Sequence, residues 1–224
     1  MTSIRTACGT ALPLLLAALL AACWRIGEPT ESDAVVAWAA FPDTVAAGEV
    51  FPFEFAGPIT PNACGRLDTA AVAVTDTSIE LSARRITYET MCSDTPIGFY
   101  EVRALELPAG VYAVRAGPVV LGRIVALEDG GFAPMRASGV GQVERAGGCI
   151  LFAPGQLGNQ RPFALLGGAG MRDRLEPVLG TRRLVDVRGT LSGFTLCGDF
   201  GSRPVIRVSD LRVLERTTDD YYER

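Results

Sequence analysis

The residues of this chain that are most able to form covalent or metal bonds are its cysteines. Four of the six lie in the body of the chain, at Cys64, Cys92, Cys149 and Cys197. No pair has the Cys-x-x-Cys spacing of many zinc sites, so disulfides are favoured over a metal-binding tetrad. Three pairings are possible. We expect Cys64–Cys92 and Cys149–Cys197, because each pair falls within one of the two domains predicted below. Such bridges are typical of exported proteins.

The basic residues are all of one type. The chain contains no histidine, and its 21 basic residues are all arginine. Histidine is the usual general base near neutral pH and a common zinc ligand. Its absence excludes Ser-His-Asp and Cys-His catalysis and zinc sites built on histidine. We therefore expect no metal, no cofactor and no catalytic residue of these classes.

Glycine clusters and carboxylates do not complete a functional set either. The clusters at 139–141 and 167–170 are not followed by Lys-Ser/Thr or by a long helix, so strand curvature and loop flexibility are favoured over a phosphate loop. An acid–base pair needs two carboxyl groups held at a fixed distance. The available carboxylates have no evident partner and are expected on the solvated surface: Asp129, Asp199, Asp219 and Asp220.

The N-terminus has the layout of an export signal. Arg5 is the one charge in residues 1–10, and residues 11–22 are almost all alanine and leucine. This apolar stretch is shorter than the roughly 20 residues that a membrane span needs. It ends at Leu20, Ala21, Ala22 and Cys23.

These four residues resemble the lipobox of bacterial lipoproteins. The resemblance implies acylation of the Cys23 sulfur, removal of the signal peptide 1–22 and acylation of the new amino group. A cysteine that follows an ordinary signal peptide by accident is the alternative. Trp24 resembles the residue after the cysteine in lipoproteins sorted to the outer membrane, where two membranes exist. Two acyl chains are enough for stable membrane attachment. Residues 23–33 are predicted to be a polar tether.

Charge and composition divide the remainder of the chain. Residues 33–131 hold 13 acids and 6 arginines, net −7, whereas residues 132–215 hold 7 acids and 11 arginines, net +4. The Glu-Asp-Gly-Gly segment 128–131 lies at the change of sign and is predicted to be a linker between domains 34–127 and 132–215. Residues 216–224 are predicted to be a disordered tail. Opposite charge could dock the domains on each other, or simply reflect composition.

The first domain is predicted to be a β-sandwich. Seven short apolar runs alternate with turn residues. The runs lie at 35–39, 50–55, 71–75, 79–83, 100–107, 111–116 and 119–127. Residues 107–112 resemble the strand-turn-strand corner of immunoglobulin-like and transthyretin-like domains. The alternation after this turn predicts that Tyr112 and Val114 face the core.

The second domain has three strands, a helix and two strands. The strands are predicted at 137–144, 149–153, 161–166, 183–190 and 204–214, and the helix at 172–179. This order resembles the OB-fold, a five-stranded barrel. Gly139 and Gly141 would allow the first strand to curve, and a bulge is expected near Asp210. Pro177 argues against a long helix. The predicted fold is therefore all-β, an immunoglobulin-like sandwich followed by a small OB-like barrel with one short helix.

The resemblance to the OB-fold also suggests a ligand-binding face. It implies that Cys149 and Cys197 lie in neighbouring loops at that face, where their bridge would either fix the rim of a groove or simply staple two loops. The possible groove residues are Arg145, Arg161, Phe163 and Arg203. Phe163 is also expected in the core, because Leu165 shares its face. An acidic polymer, a glycan or a protein loop would fit this set.

The sequence thus predicts a membrane-tethered, non-enzymatic lipoprotein. Its partners are expected to be the membrane, through lipid on Cys23, and an envelope protein or glycan. Nucleic acid is not expected, because the second domain has no lysine and few aromatic residues and the chain carries an export signal. An envelope hydrolase that uses aspartate and arginine, or a purely structural lipoprotein, are the alternatives.

Overall fold

A computed structural model describes residues 28–89, 91–156 and 161–222. These residues form fourteen β-strands in two sheets and one short α-helix. The predicted all-β class is therefore confirmed. The predicted signal peptide and its lipobox, including Cys23, lie outside the described residues.

The first half of the described chain contains nine strands, two more than predicted. They are β1 Thr30–Ala34, β2 Trp38–Pro42, β3 Thr44–Ala46, β4 Val50–Thr60, β5 Gly65–Val74, β6 Ser78–Thr87, β7 Ile97–Glu106, β8 Gly110–Ala116 and β9 Val119–Leu127. Strands β5, β6, β1, β8, β9 and β3 form a six-stranded sheet. The last four residues of the predicted tether belong to β1, which pairs antiparallel with β6.

The second half has the predicted order of three strands, a helix and two strands. These elements are β10 Met135–Ala146, β11 Cys149–Pro154, β12 Phe163–Leu166, α1 Ala169–Leu175, β13 Arg183–Leu196 and β14 Ser202–Thr217. The helix begins three residues before its predicted start and ends at Leu175. A 3-10 turn, Glu176–Val178, follows because Pro177 cannot supply the amide hydrogen that a longer α-helix needs.

Five strands of the second half pair in a closed ring. β10 pairs with β11 and β13, β11 with β12, and β12 runs parallel to β14, which returns to β13. A Cβ at Gly141 would lie 2.1 Å from the Ala153 carbonyl oxygen, so only glycine fits where β10 turns towards β11. The bulge expected near Asp210 is confirmed, since Ser209 is skipped in the β13–β14 register.

Strand β2 joins the two halves. Its backbone pairs with β4 on one edge and with the first part of β10 on the other, from Met135↔Pro42 to Gly139↔Trp38. One eight-stranded sheet therefore contains strands from both predicted domains: β2, β4 and β7 from the first and β10 to β14 from the second.

Both faces of β2 are buried, because alternate residues enter different hydrophobic cores. Ala39 and Phe41 enter the first core, which lies between the six-stranded sheet and strands β2, β4 and β7. Trp38 and Ala40 enter the second core, inside the five-strand ring. This alternation follows from the period of two along an extended strand.

Three interactions fix the first half. Tyr112 and Val114 point into the first core, as predicted. The Tyr112 hydroxyl donates a hydrogen bond of 3.0 Å to the Pro108 carbonyl and so pins the turn between β7 and β8. The Cys64–Cys92 disulfide, with a Cα–Cα distance of 5.3 Å, confirms the first predicted bridge and ties the β4–β5 turn to the segment before β7.

The C-terminal segment returns to the first half. Residues 216–222, predicted to be disordered, instead complete β14 and form a 3-10 turn at Thr218–Tyr221. The Tyr222 hydroxyl donates to Gln156, and the Arg85 guanidinium lies 5.7 Å from the centre of the Tyr222 ring. Buried Gln156 also donates to the Thr60 and Ile97 carbonyls, at 2.9 and 3.0 Å. Residues distant in sequence therefore meet at one buried amide.

We predict that Trp38→Ala destabilises both halves together. The indole is fully buried and packs 4.7 Å from the ring of Phe163, centre to centre. Its removal should lower the free energy of unfolding by about 3–5 kcal/mol. Denaturant unfolding measures the change. Val111→Ala, at an exposed position, should change it by less than about 0.5 kcal/mol. A loss below about 1 kcal/mol for Trp38→Ala would contradict the packing of this indole inside the second core.

Candidate functional site

A groove lies on the outer face of the five-strand ring. Strands β11 and β12 form its floor, and the far end of the β13–β14 hairpin overhangs it, enclosing about 520 Å³. Three arginines from different elements line it: Arg145 at the end of β10, Arg172 in α1 and Arg207 in β14. We call it the arginine groove. Among its described lining residues there is no carboxylate.

Arg145 and Arg207 have partners of different charge. Arg145 forms a 2.5 Å ion pair with Glu176, and both side chains are largely exposed to water. The Arg207 Nε donates to the Ser192 hydroxyl at 3.2 Å, a neutral partner that leaves its charge uncompensated. Because exposed ion pairs are weak, about 0.2–1 kcal/mol each, Glu176 does not lock Arg145 away from a stronger anionic partner.

Large apolar side chains surround the same groove. Phe194 is 75% exposed, Leu196 80% and Leu166 50%. All three line the groove. A cluster of exposed apolar side chains next to uniform charge is more typical of a binding surface than of ordinary protein surface.

The second disulfide sets the position of the overhanging hairpin. Cys149 and Cys197 are bridged, with a Cα–Cα distance of 5.5 Å, which confirms the second predicted pairing. Cys197 is buried in a small cluster with Ala146, Leu151, Ala164 and Val205 beneath the hairpin. Cys149 lines the groove. The bridge therefore staples two loops and also fixes one rim of the groove.

The predicted groove residues divide between two places. Arg145 lies in the arginine groove, whereas Arg161, Phe163 and Arg203 line a second cavity of about 390 Å³ at the open end of the ring. We call this the mouth cavity. Phe163 is buried in the second core together with Leu165, as expected from their shared face.

The first half contributes to the mouth cavity. Glu54 of β4 and Tyr100 of β7 line it, and the Tyr100 hydroxyl donates a hydrogen bond to the Glu54 carboxylate. Burial, reinforced by the neighbouring Glu54 carboxylate, raises the pKa of Tyr100, so this hydroxyl keeps its proton. The Arg161 guanidinium lies 6.0 Å from the centre of the Tyr100 ring, within cation–π range.

The predicted surface carboxylates stay apart from both cavities. Asp219 pairs with Arg182 at 2.9 Å, and Asp220 caps the C-terminal 3-10 turn. Asp129 lies in the turn after β9, and Asp199 in the exposed 3-10 turn after Cys197. In the three described ranges no group of three or more metal-ligating side chains forms.

Sequence reasoning missed several lining residues, chiefly Arg172, Arg207, Phe194, Leu196, Glu54 and Tyr100. The fourth strand of the second domain was predicted to end at residue 190. The strand continues through a bulge there, with Gly193 at φ +59°, and so carries Phe194 and Leu196 over the groove.

Comparison with known proteins gave no match to any family model, curated protein or solved structure. No helix in the described part of the chain has the length and apolarity to cross a membrane.

Two adjacent glycines allow a matched test of the groove rim. A Cβ at Gly147 would lie 1.8 Å from the Cys197 carbonyl oxygen, whereas one at Gly148 would meet nothing within 4 Å; both residues have positive φ. Gly148→Ala should lower the free energy of unfolding by about 1–2 kcal/mol, because of backbone strain alone. Gly147→Ala should cost at least about 1 kcal/mol more, because the loops must also separate. Equal losses in denaturant titrations would argue against the close approach of these loops.

Proposed function

We propose that this protein is a lipid-anchored, non-enzymatic binding module of the bacterial cell envelope, and that the arginine groove binds an acidic segment of an envelope protein or glycan. The observation that carries the proposal is the combination of Arg145, Arg172 and Arg207 with exposed Phe194 and Leu196 around one groove. Guanidinium groups suit carboxylate, sulfate and phosphate groups in two-pronged geometry.

The shape of the ring supports this location for the site. The pairing order of its five strands, with the third strand parallel to the fifth, resembles the OB-fold. OB-folds bind ligands on the outer face between the loop joining strands one and two and the loop joining strands four and five. Here those loops carry Gly147 and Cys197, at the rim of the arginine groove. We also assign the first half to an immunoglobulin-like sandwich, because the Tyr112–Pro108 hydrogen bond resembles a tyrosine corner.

The proposed location at a membrane rests on the lipobox at Cys23. Two disulfides in one chain are what an exported protein acquires in an oxidising compartment, which agrees with this address. Strand β1 begins at Thr30, seven residues after Cys23. At roughly 3.3–3.6 Å per residue, that length reaches at most about 25 Å. An anchor at Cys23 would therefore hold the folded part close to the bilayer, where envelope polymers are concentrated.

The hydrolase alternative has weaker support. Among the described carboxyl groups, Asp186 has a raised pKa, because partial burial and the nearby Asp210 carboxylate outweigh the opposite effect of Arg188 and Arg212. It lies on the β13–β14 hairpin, flanked by these arginines, and lines neither cavity described above.

The intact mass of the protein purified from its own membranes tests the address. We expect residues 23–224 plus acyl chains, less four hydrogens, because two disulfides form and the signal peptide is removed. Cys23→Ser should give a chain without lipid and is the matched control. A lipid-free or full-length mass for the unaltered protein would disprove the anchor.

Binding of labelled polyanions tests the groove. Fluorescein-labelled heparin oligosaccharide and fluorescein-labelled polyglutamate represent acidic glycans and acidic protein segments. Arg172→Gln with Arg207→Gln should weaken binding of at least one probe by roughly tenfold, which corresponds to about 1.4 kcal/mol. The affinity should also fall with added salt, because exposed charges are screened.

The matched control removes the same number of positive charges from the second half of the chain. Arg188→Gln with Arg212→Gln lies outside the arginine groove and should change affinity by no more than about twofold, the effect of lost long-range attraction. Equal weakening by both double variants would mean that net charge, rather than the groove, attracts the probe. The stronger of the two probes identifies the class of partner.

A further inference from the structure

The mouth cavity has the dimensions of a small-molecule site and is separate from the polymer-binding face. Its volume of about 390 Å³ lies within the range of such sites, roughly 300–1,000 Å³. Its walls come from both halves of the chain, with Glu54 and Tyr100 on one side and the ends of β12, β13 and β14 on the other. Cavities at the junction of two packed units are frequent ligand sites.

The side chains that line the cavity carry one more positive charge than negative charge. Arg161 and Arg203 line it together with a single carboxylate, Glu54. Glu54 accepts the hydrogen bond of Tyr100, and among the described residues it forms no ion pair with either arginine. The cavity is therefore biased towards an anion of single charge.

One donor in this wall has no partner. The Nε–H of Arg203 is buried and hydrogen-bonds to no other group in the described ranges. A buried donor without an acceptor is unfavourable, and a charged donor more so. If the Arg203 side chain turned towards the cavity, a ligand carboxylate could accept from Nε and from a terminal nitrogen of the same guanidinium at once, a geometry that a single carbonyl cannot match.

The rest of the wall is suited to an apolar body. Phe163 lies fully buried at the base and packs against Trp38 at 4.7 Å, while Leu191 and Met135 flank it. Phe194 is at the open side, where it also borders the arginine groove. Aromatic and aliphatic walls with a few placed charges are the usual construction of sites for small organic ligands.

We propose that the mouth cavity binds a small organic carboxylate, with its carboxyl group on Arg203 and Arg161 and its apolar body against Phe163 and Phe194. This site uses other arginines than the arginine groove does, although Phe194 borders both. It would give the protein a second, low-molecular-weight ligand, held between its two halves.

Calorimetric titration of the full-length, membrane-extracted protein in detergent tests this site, with empty micelles as the blank. Phenylbutyrate is the probe, and phenylbutyramide is a neutral molecule of nearly the same shape. Phenylbutyrate should bind at least roughly tenfold more tightly than the amide, since only the carboxylate pairs with the arginines. Absence of phenylbutyrate binding, or equal binding of the two compounds, would overturn the proposal.

Two variants should shift the affinity in opposite directions. Arg203→Met removes the spare donor and should weaken phenylbutyrate binding by roughly tenfold. Glu54→Gln removes the negative charge of the cavity while keeping an oxygen for Tyr100, and should tighten binding by about threefold or more. Because the second variant predicts a gain, a folding defect cannot imitate it.

Arg212→Met is the matched control, since it lies on the same strand but lines neither site. It should leave phenylbutyrate affinity within about twofold, allowing for long-range attraction. If Arg212→Met weakens binding as much as Arg203→Met, the carboxylate is attracted by net charge and the site is disproved. The Arg172 and Arg207 variants test the polymer groove separately, so either proposal can fail alone.

Discussion

Strand β2 has to be compatible with two hydrophobic cores at once, and the rest of the structure depends on that constraint. Its side chains alternate between the first core and the ring interior, and its two edges pair with β4 and β10. A polar residue at any of the positions 38–41 would be buried on one side or the other without a partner. The two halves of the chain therefore share one hydrogen-bonded sheet, while six strands of the first half form a second sheet.

This shared sheet explains where the two cavities lie. One end of the five-strand ring is covered by α1, whose Met171 and Leu175 enter the second core. At the other end, Tyr100 of the first half lies near Trp38 and Phe163 and leaves the mouth cavity beside them. The outer face remains free of the first half, so the arginine groove is accessible. The mouth cavity therefore lies between the halves and the arginine groove on the outer face, and the two cavities differ in size and chemistry.

Local patterns in the sequence were sufficient for much of this fold. Alternation after a turn placed Tyr112 and Val114 inward, and the mixed phase of β14 predicted a bulge near Asp210, which the structure has at Ser209. The cysteine positions predicted both disulfides. The pairing of β10 with β2 could not be predicted, because residues 38–41 are all apolar and show no phase. β3 was missed because three residues are too few to form a pattern.

The candidate sites were harder to predict than the fold. Arg145, Arg161, Phe163 and Arg203 were grouped from the resemblance to the OB-fold. Side chains of neighbouring strands separate when the ring closes, so that Arg145 lies outside and Phe163 inside. Residues such as Glu54 and Tyr100 come from the first half and required knowledge of how the halves pack. The continuation of β13 beyond Gly193 depended on a bulge between Leu191 and Phe194.

The contacts of Tyr222 with Gln156 and Arg85 limit the order in which parts of the chain can fold. Gln156 bonds to Thr60, 96 residues earlier, and to Tyr222, 66 residues later. Contacts between such distant positions form slowly, since long loops must close first. A chain that emerges from a ribosome or an export channel N-terminus first leaves the inner edge of β2 without its partner until β10 arrives. Tyr222 is synthesised after all fourteen described strands, so its bond to Gln156 forms only once they have emerged.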